Sequence, residues 1–297
     1  MTNHPSLLHP TEGTPLVDLH THSSASDGSL SPEQLIEEAV RRKLSAIALT
    51  DHDTIDGLGP ASLAAEERGI RFIPGIELSI TWQPGEFHLL GLGLQNIDRG
   101  FHQGAENLRR MRERRNHEIT ERLRGIGVHA EYEEIAALAG GRSVGRPHFA
   151  EFLIRRRIVR NAEQAFNRYL GKGRPLYVHK EGLPFQDAVS LIKNAGGLAV
   201  IAHPLSLYVA WGKLPSCIAS LKEQGLDGIE AWHPSARVGE CKRLEKLASS
   251  LGLMVTAGSD FHGKARAERK LGRTAGGLPI RMDVESFLME TGPRSEY

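Results

Sequence analysis

Cysteine is almost missing from this chain: Cys217 and Cys241 are the only two among 297 residues, and neither belongs to a CxxC-type pair. That argues against a thiolate zinc site and a disulfide framework, and it fits a reducing compartment. Net charge is missing too. With 37 Lys and Arg against 36 Asp and Glu, the formal charge is +1. The whole molecule is therefore no electrostatic magnet for polyanions, and any such affinity must come from a local patch. No apolar run approaches the ~18 residues needed to span a membrane. The leader, Met1 to Pro15, is polar and proline-punctuated and lacks the apolar stretch of a signal peptide. The cytoplasm is the expected compartment, and no membrane partner is expected. There is no internal repeat and no low-complexity segment. The length suits one large α/β domain, or one domain carrying an insertion, with a core able to fold without a structural metal.

What is present is a β/α rhythm. Val17 to His20 reads as a short strand, and Ser31-Pro32-Glu33-Gln34 opens a helix with Ser31 as N-cap, Pro32 at the first position and Gln34 closing a capping box. Strands are expected at 46–50, 72–80, 87–94, 198–202, 228–232 and 253–258, with helices at 61–68, 185–194, about 218–224 and 240–251. Between about 101 and 180 the rhythm gives way to a helical pattern. The reading is an α/β barrel split by a helical insertion: first barrel part 16–100, insertion 101–180, second barrel part 181–290.

The chain holds 14 histidines, and their placement is informative. His20 and His22 lie just past the first strand, with Asp27 in the following loop. Asp51, His52 and Asp53 follow the second strand, and Glu77 lies late in the third. His203, His233 and the pair Asp260 and His262 follow the fifth, sixth and seventh. In α/β barrels the loops at the strands' C-terminal ends build the active site, so residues spread over 240 positions are expected to converge. His88, early in its strand, fits only if that strand runs antiparallel. Imidazole and carboxylate together hold Mn, Zn or Fe, and a thiolate-free set suits a catalytic site. A carboxylate such as Glu77 is able to bridge two ions, and paired ions serve phosphoryl hydrolysis. Each piece has a plainer reading: Asp27-Gly28 as turn chemistry, Asp51 and Asp53 as caps, a lone strand-end histidine as a structural residue. Those readings do not readily produce His-x-His, Asp-His-Asp and Asp-x-His together at strand ends.

The segments Asp18-Leu19-His20-Thr21-His22-Ser23, Asp27-Gly28, Leu49-Thr50-Asp51-His52-Asp53-Thr54, Pro74-Gly75-Ile76-Glu77, Ile201-Ala202-His203-Pro204 and Gly258-Ser259-Asp260-Phe261-His262 closely resemble the ordered motifs of the PHP (polymerase and histidinol phosphatase) family. The resemblance implies a distorted (β/α)7 barrel and a cluster of two or three divalent metal ions. By motif, His20, His22, Glu77 and Asp260 would hold one metal; Glu77, His88 and His148 a second; Asp27, His52 and His262 a third. Asp27 stands where some relatives place histidine. His203 is expected near the substrate phosphate or as general acid, with Asp51 as a second catalytic candidate. His233 matches no family position and reads as structural.

Within the insertion, Arg142-Ser143-Val144-Gly145-Arg146-Pro147-His148-Phe149 and Tyr169-Leu170-Gly171-Lys172-Gly173-Arg174-Pro175 resemble a PHP subgroup that includes 3′,5′-nucleotide bisphosphate phosphatases and 5′→3′ exoribonucleases. Arg146, Lys172 and Arg174 suit a non-reacting phosphate, or else cap helices and face solvent. The implied substrate is a small nucleotide with two phosphates, such as adenosine 3′,5′-bisphosphate cut to AMP, with short single-stranded RNA as a second. Histidinol-phosphate phosphatase and a non-catalytic nucleic-acid-binding or accessory module are the alternatives. The arginine-rich run 109–115 is interleaved with glutamates at helical spacing and reads as a solvated helix.

Overall fold

The computed structural model describes residues 13–140 and 143–283. Most of the leader, Arg142 of the inserted motif and the end of the second barrel part lie outside those residues. Seven strands form one sheet in chain order: β1 (Val17–Asp18), β2 (Ala46–Leu49), β3 (Arg71–Ile80), β4 (Phe87–Leu92), β5 (Leu198–Ile201), β6 (Gly228–Trp232) and β7 (Met254–Ala257). β1, β2 and β3 pair in parallel, as do β5, β6 and β7, whereas β4 runs antiparallel to both neighbours. That reversal resolves the position of His88. It pairs with Ser79 near the end of β3 and so lies at the same end of the sheet as Glu77.

The strands read as short, nearly continuous apolar runs because helices cover the outer face. Those helices are α1 (Pro32–Arg41), α2 (Leu58–Arg68), α7 (Phe185–Asn194), α8 (Leu214–Glu223) and α9 (Val238–Ser250); α7 begins where the sequence suggests, whereas α2, α8 and α9 begin two to four residues earlier. α1 starts as its sequence requires. Ser31 Oγ accepts from the Gln34 N–H (3.3 Å) and the Ser31 N–H donates to Gln34 Oε1 (3.0 Å).

The sheet closes at the site end. A parallel bridge joins Thr21 to Phe261, the His22 N–H donates to Phe261 O (2.9 Å) and the Asp260 N–H to His20 O (2.9 Å). Asp18 pins this seam from within, its carboxylate accepting from the backbone of Ser259 (3.0 Å) and Gly272 (2.7 Å). Burial raises that carboxyl to about 6 despite these bonds.

A second compact unit spans Glu106–Gly182. It contains most of α3 (Arg99–Gly125), with α4 (Tyr132–Ala139), α5 (Arg146–Arg155) and α6 (Ala162–Ala165). Its core is apolar: Ile119, Leu123, Ile135, Phe149, Leu153 and Leu170 are fully buried. Along α3, Arg109 and Arg110 pair with Glu106 (2.7 and 2.9 Å) and Arg122 with Glu118 (2.7 Å), while Arg114 of the arginine-rich run reaches Glu181 (3.4 Å) outside the helix.

Candidate metal centre

The site is built on Glu77. Fully buried on β3, its carboxylate meets five imidazoles: Oε1 lies 2.9 Å from both His88 Nδ1 and His203 Nε2, and Oε2 lies 3.0 Å from His52 Nδ1 and 3.3 Å from His20 Nε2 and His22 Nε2. The strand-end registers explain this gathering. His20 and His22 are two residues apart on extended backbone and so share a face. Antiparallel β4 and the loop after β5 bring His88 and His203 to the other carboxylate oxygen.

Among the described residues, four groups have ligand atoms within 4.8 Å of one another: His20–His22–Glu77, His52–Glu77–His88, His22–Asp27–His52–His262 and His20–His233–Asp260. Asp260 also reaches the first, its Oδ1 lying 3.1 Å from His22 Nε2. In the third, Asp27 is 3.1 Å from His262 Nε2 and 3.9 Å from His52 Nε2. His148 lies in the first turn of α5 in the helical unit, where its Nδ1 accepts from the Gly145 N–H (3.0 Å).

The donors fit a hard or borderline divalent cation. They are nitrogen and oxygen only. His22 Nδ1, His52 Nδ1, Glu77 Oε2 and His262 Nε2 are buried without a hydrogen bond of acceptable geometry, the condition expected of atoms whose partner is an ion. Burial pushes the His52 imidazole down to about 3, which keeps its lone pairs free at neutral pH. Burial opposes ionisation of Glu77, yet His52, His88 and His20 outweigh it and hold the carboxyl well below its ordinary range. His20 is raised against burial by Glu230, Glu77 and Asp260.

Several acids support the site from behind. Glu230 on β6 is fully buried; it lies 2.9 Å from His20 Nδ1 and accepts the His203 N–H (2.7 Å). A carboxylate behind a ligand histidine fixes its orientation and raises its basicity. The sequence reading did not single out Glu230; its one signal is an acid inside the apolar strand Gly228–Trp232. Asp51 faces the loop rather than the ligands. One oxygen accepts from the Ser23 N–H (2.8 Å) and Ser26 Oγ (2.5 Å), the other from Ser23 Oγ (2.6 Å). Asp53 similarly accepts from the N–H and Oγ of Ser79 (2.7 and 2.8 Å), tying its loop to β3. The backbone is strained here: Asp53, His203 and Asp260 have φ of 57°, 30° and 51°. Gly258 is required by crowding, because a Cβ there would lie 2.2 Å from His20 Cβ and 2.6 Å from Glu230 Oε1. His233 is buried beside His20 and Asp260, with Nδ1 2.6 Å from Ser235 Oγ.

Against known families, the PHP domain profile matches residues 18–174, more than half of the chain. The chain belongs to the PHP family. Similar PHP relatives cover most of it. The 5′-3′ exoribonuclease of Haemophilus influenzae is 37% identical over 82% of this chain and 89% of its own. The 3′,5′-nucleoside bisphosphate phosphatase of Chromobacterium violaceum is 34% identical over 89% of this chain and 93% of its own. A solved amidohydrolase structure from Chromobacterium violaceum, with bound sulfate and no metal, superposes with a TM-score of 0.81 at 31% identity, covering 93% and 96% of the two chains. Among the described residues, no helix is long and apolar enough to cross a membrane.

Proposed function

We propose that this PHP protein is a metal-dependent phosphoesterase that removes the 3′-phosphate from nucleoside 3′,5′-bisphosphates, such as adenosine 3′,5′-bisphosphate, and trims short RNA from its 5′ end. The observation that carries the reading is Glu77, one buried carboxylate facing five imidazoles with Asp260 and Asp27 alongside. The two named relatives supply the substrate class.

Two or three divalent ions, drawn from Mn, Zn and Fe, are proposed, held by His20, His22, Glu77 and Asp260; by Glu77 and His88; and by Asp27, His52 and His262. When bound, such ions polarise the phosphoryl oxygens and lower the pKa of water for in-line attack. Glu77 orients both sides of the cluster through its two oxygens. Glu230 aligns His20. Asp51 holds the loop 23–26 and is assigned a positioning role. His203, whose Nδ1 lies 2.9 Å from Ser206 Oγ, is proposed to give a proton to the leaving 3′ oxygen as its bond to phosphorus breaks.

A non-catalytic accessory module is disfavoured because such a site would be expected to lose acids or imidazoles, and the barrel retains them in tight groups. The deciding experiment is phosphate release from adenosine 3′,5′-bisphosphate with Mn²⁺, compared with 5′-AMP, 3′-AMP and histidinol phosphate. Preference for the bisphosphate is expected. Preference for histidinol phosphate would keep the metal chemistry and discard the substrate.

A further inference from the structure

The chain that follows β7 carries the sequence Gly263-Lys264-Ala265-Arg266-Ala267-Glu268-Arg269-Lys270, and two of its cations turn back onto the site. Arg269 Nη1 lies 2.6 Å from Asp260 Oδ2 and 2.8 Å from His233 Nε2, and Arg266 Nη1 lies 3.1 Å from the same Asp260 oxygen. Both arginines line the cavity of the candidate metal centre itself, about 200 Å³, whose walls also include Glu77, His52, His88 and Asp260. A water takes about 30 Å³, so this space admits a molecule and not merely an ion.

The charge arrangement is lopsided. Two guanidinium groups share one carboxylate oxygen, while the other oxygen of Asp260 faces His22 in the candidate metal centre. One arginine is enough to orient Asp260, and Arg269, with its side chain 13% exposed, is the one that also meets His233. Arg266 makes one hydrogen bond and keeps 40% of its side chain exposed at the cavity wall, with most of its five N–H donors available. His233 fits the same picture. Its Nε2 lies 2.8 Å from Arg269 Nη1 and 3.3 Å from Asp260 Oδ2, while Nδ1 lies 2.6 Å from Ser235 Oγ and accepts the Ser235 N–H (3.1 Å). The histidine thereby sits between Arg269 and Asp260, in contact with both.

We infer that Arg266 and Arg269, braced by Asp260 and His233, form an anion subsite in the barrel that takes the non-reacting 5′-phosphate of a nucleoside 3′,5′-bisphosphate while its 3′-phosphate faces the metal centre. The choice of substrate rests on the proposed reaction; the subsite rests on the cavity, the paired guanidiniums and their shared carboxylate. A planar fork suits bidentate phosphate recognition, and charge-assisted pairs are about twice as strong as neutral ones. The arrangement makes His233 a positioning residue for Arg269, in place of the purely structural role its sequence suggests.

The test compares metal-loaded wild type with Arg266→Gln and Arg266→Lys on two substrates, adenosine 3′,5′-bisphosphate and 3′-AMP, which lacks the second phosphate. In Arg266→Gln the ratio of kcat/KM for bisphosphate over monophosphate should fall about 10- to 100-fold, the size of one lost charged contact, and Arg266→Lys should restore part of it. An equal loss on both substrates would mean that Arg266 acts only through Asp260, and would overturn the subsite. Calorimetric binding of 5′-AMP and adenosine separates this from the reaction itself. Weaker 5′-AMP binding in Arg266→Gln, with adenosine unchanged, supports the subsite even if wild type turns over neither substrate, in which case the proposed reaction alone falls. Unchanged 5′-AMP binding overturns the subsite whatever the kinetics show.

Discussion

The barrel and the helical unit use charge in opposite ways. In the barrel, acids and imidazoles are buried at strand ends, and single carboxylates serve many partners: Glu77 meets five imidazoles and Asp260 meets four histidines and two arginines. In the helical unit the core is apolar and, Arg115 apart, the charges lie largely outside, paired at helical spacing as Arg109 with Glu106, Arg122 with Glu118 and Arg155 with Glu151. Buried, shared charges are strongly coupled and costly to leave unmatched, whereas exposed i,i+4 pairs contribute a few tenths of a kcal/mol. The same residue types therefore carry chemistry in one region and solubility in the other.

The sharpest way to break that contrast is at the ligands. His52→Ala and Asp260→Ala should each cut turnover by more than about 100-fold, a loss typical of removing one preorganised charge-stabilising group, while circular dichroism reports a folded chain. Wild-type-like activity in either variant would sink the metal assignment. Stripping the protein with a chelator should do the same to turnover with limited loss of fold, and adding Mn²⁺ should restore it; unfolding on chelation would instead mark a structural centre.

Next in size is the support behind the ligands. Glu230→Gln keeps the shape of the side chain but removes the charge behind His20. Metal affinity should drop about 10- to 100-fold, the usual cost of a lost carboxylate behind a ligand histidine, as read by metal titration. An unchanged affinity would place Glu230 among the merely structural residues.

These two levels were not equally legible. His20 with His22, Asp260 with His262 and the isolated Glu77 announce themselves because an i,i+2 pair of ligands at a strand end is rare by chance and the strand direction fixes where it points. The reversal of β4 was readable from the awkward position of His88. Asp51 was misleading: it stands beside His52 in an Asp-His-Asp triplet, yet successive side chains point to opposite sides, and its carboxylate turns to Ser23 and Ser26. Glu230, Arg266 and Arg269 were missed for a different reason. Their significance lies in which distant residue they face, His20 and His203 for one, Asp260 and His233 for the others, and no local spacing encodes that.

Gly258→Ala tests the packing beneath the ligands. The added methyl would press on the Cβ of His20 and on Glu230, and relief requires moving the end of β7 against the closing seam. Overpacking of this kind costs about 1–3 kcal/mol, so thermal stability should fall measurably, and metal affinity should fall with it if the displaced His20 is the ligand proposed. Loss of stability with metal affinity intact would show that the seam and the centre are separable.

The smallest effect belongs to the helical unit. Glu118→Gln removes the partner of Arg122 on α3, a pair whose side chains are 51% and 41% exposed. Screening by water and salt limits such a pair to about 0.3–0.5 kcal/mol, so the midpoint of denaturant unfolding should barely shift. Turnover of adenosine 3′,5′-bisphosphate should match wild type at low and high salt alike. A marked loss of activity confined to RNA substrates, and strongest at low salt, would instead assign this helix face to polyanion binding, and the contrast between a chemical barrel and a solvated helical unit would have to be redrawn along α3.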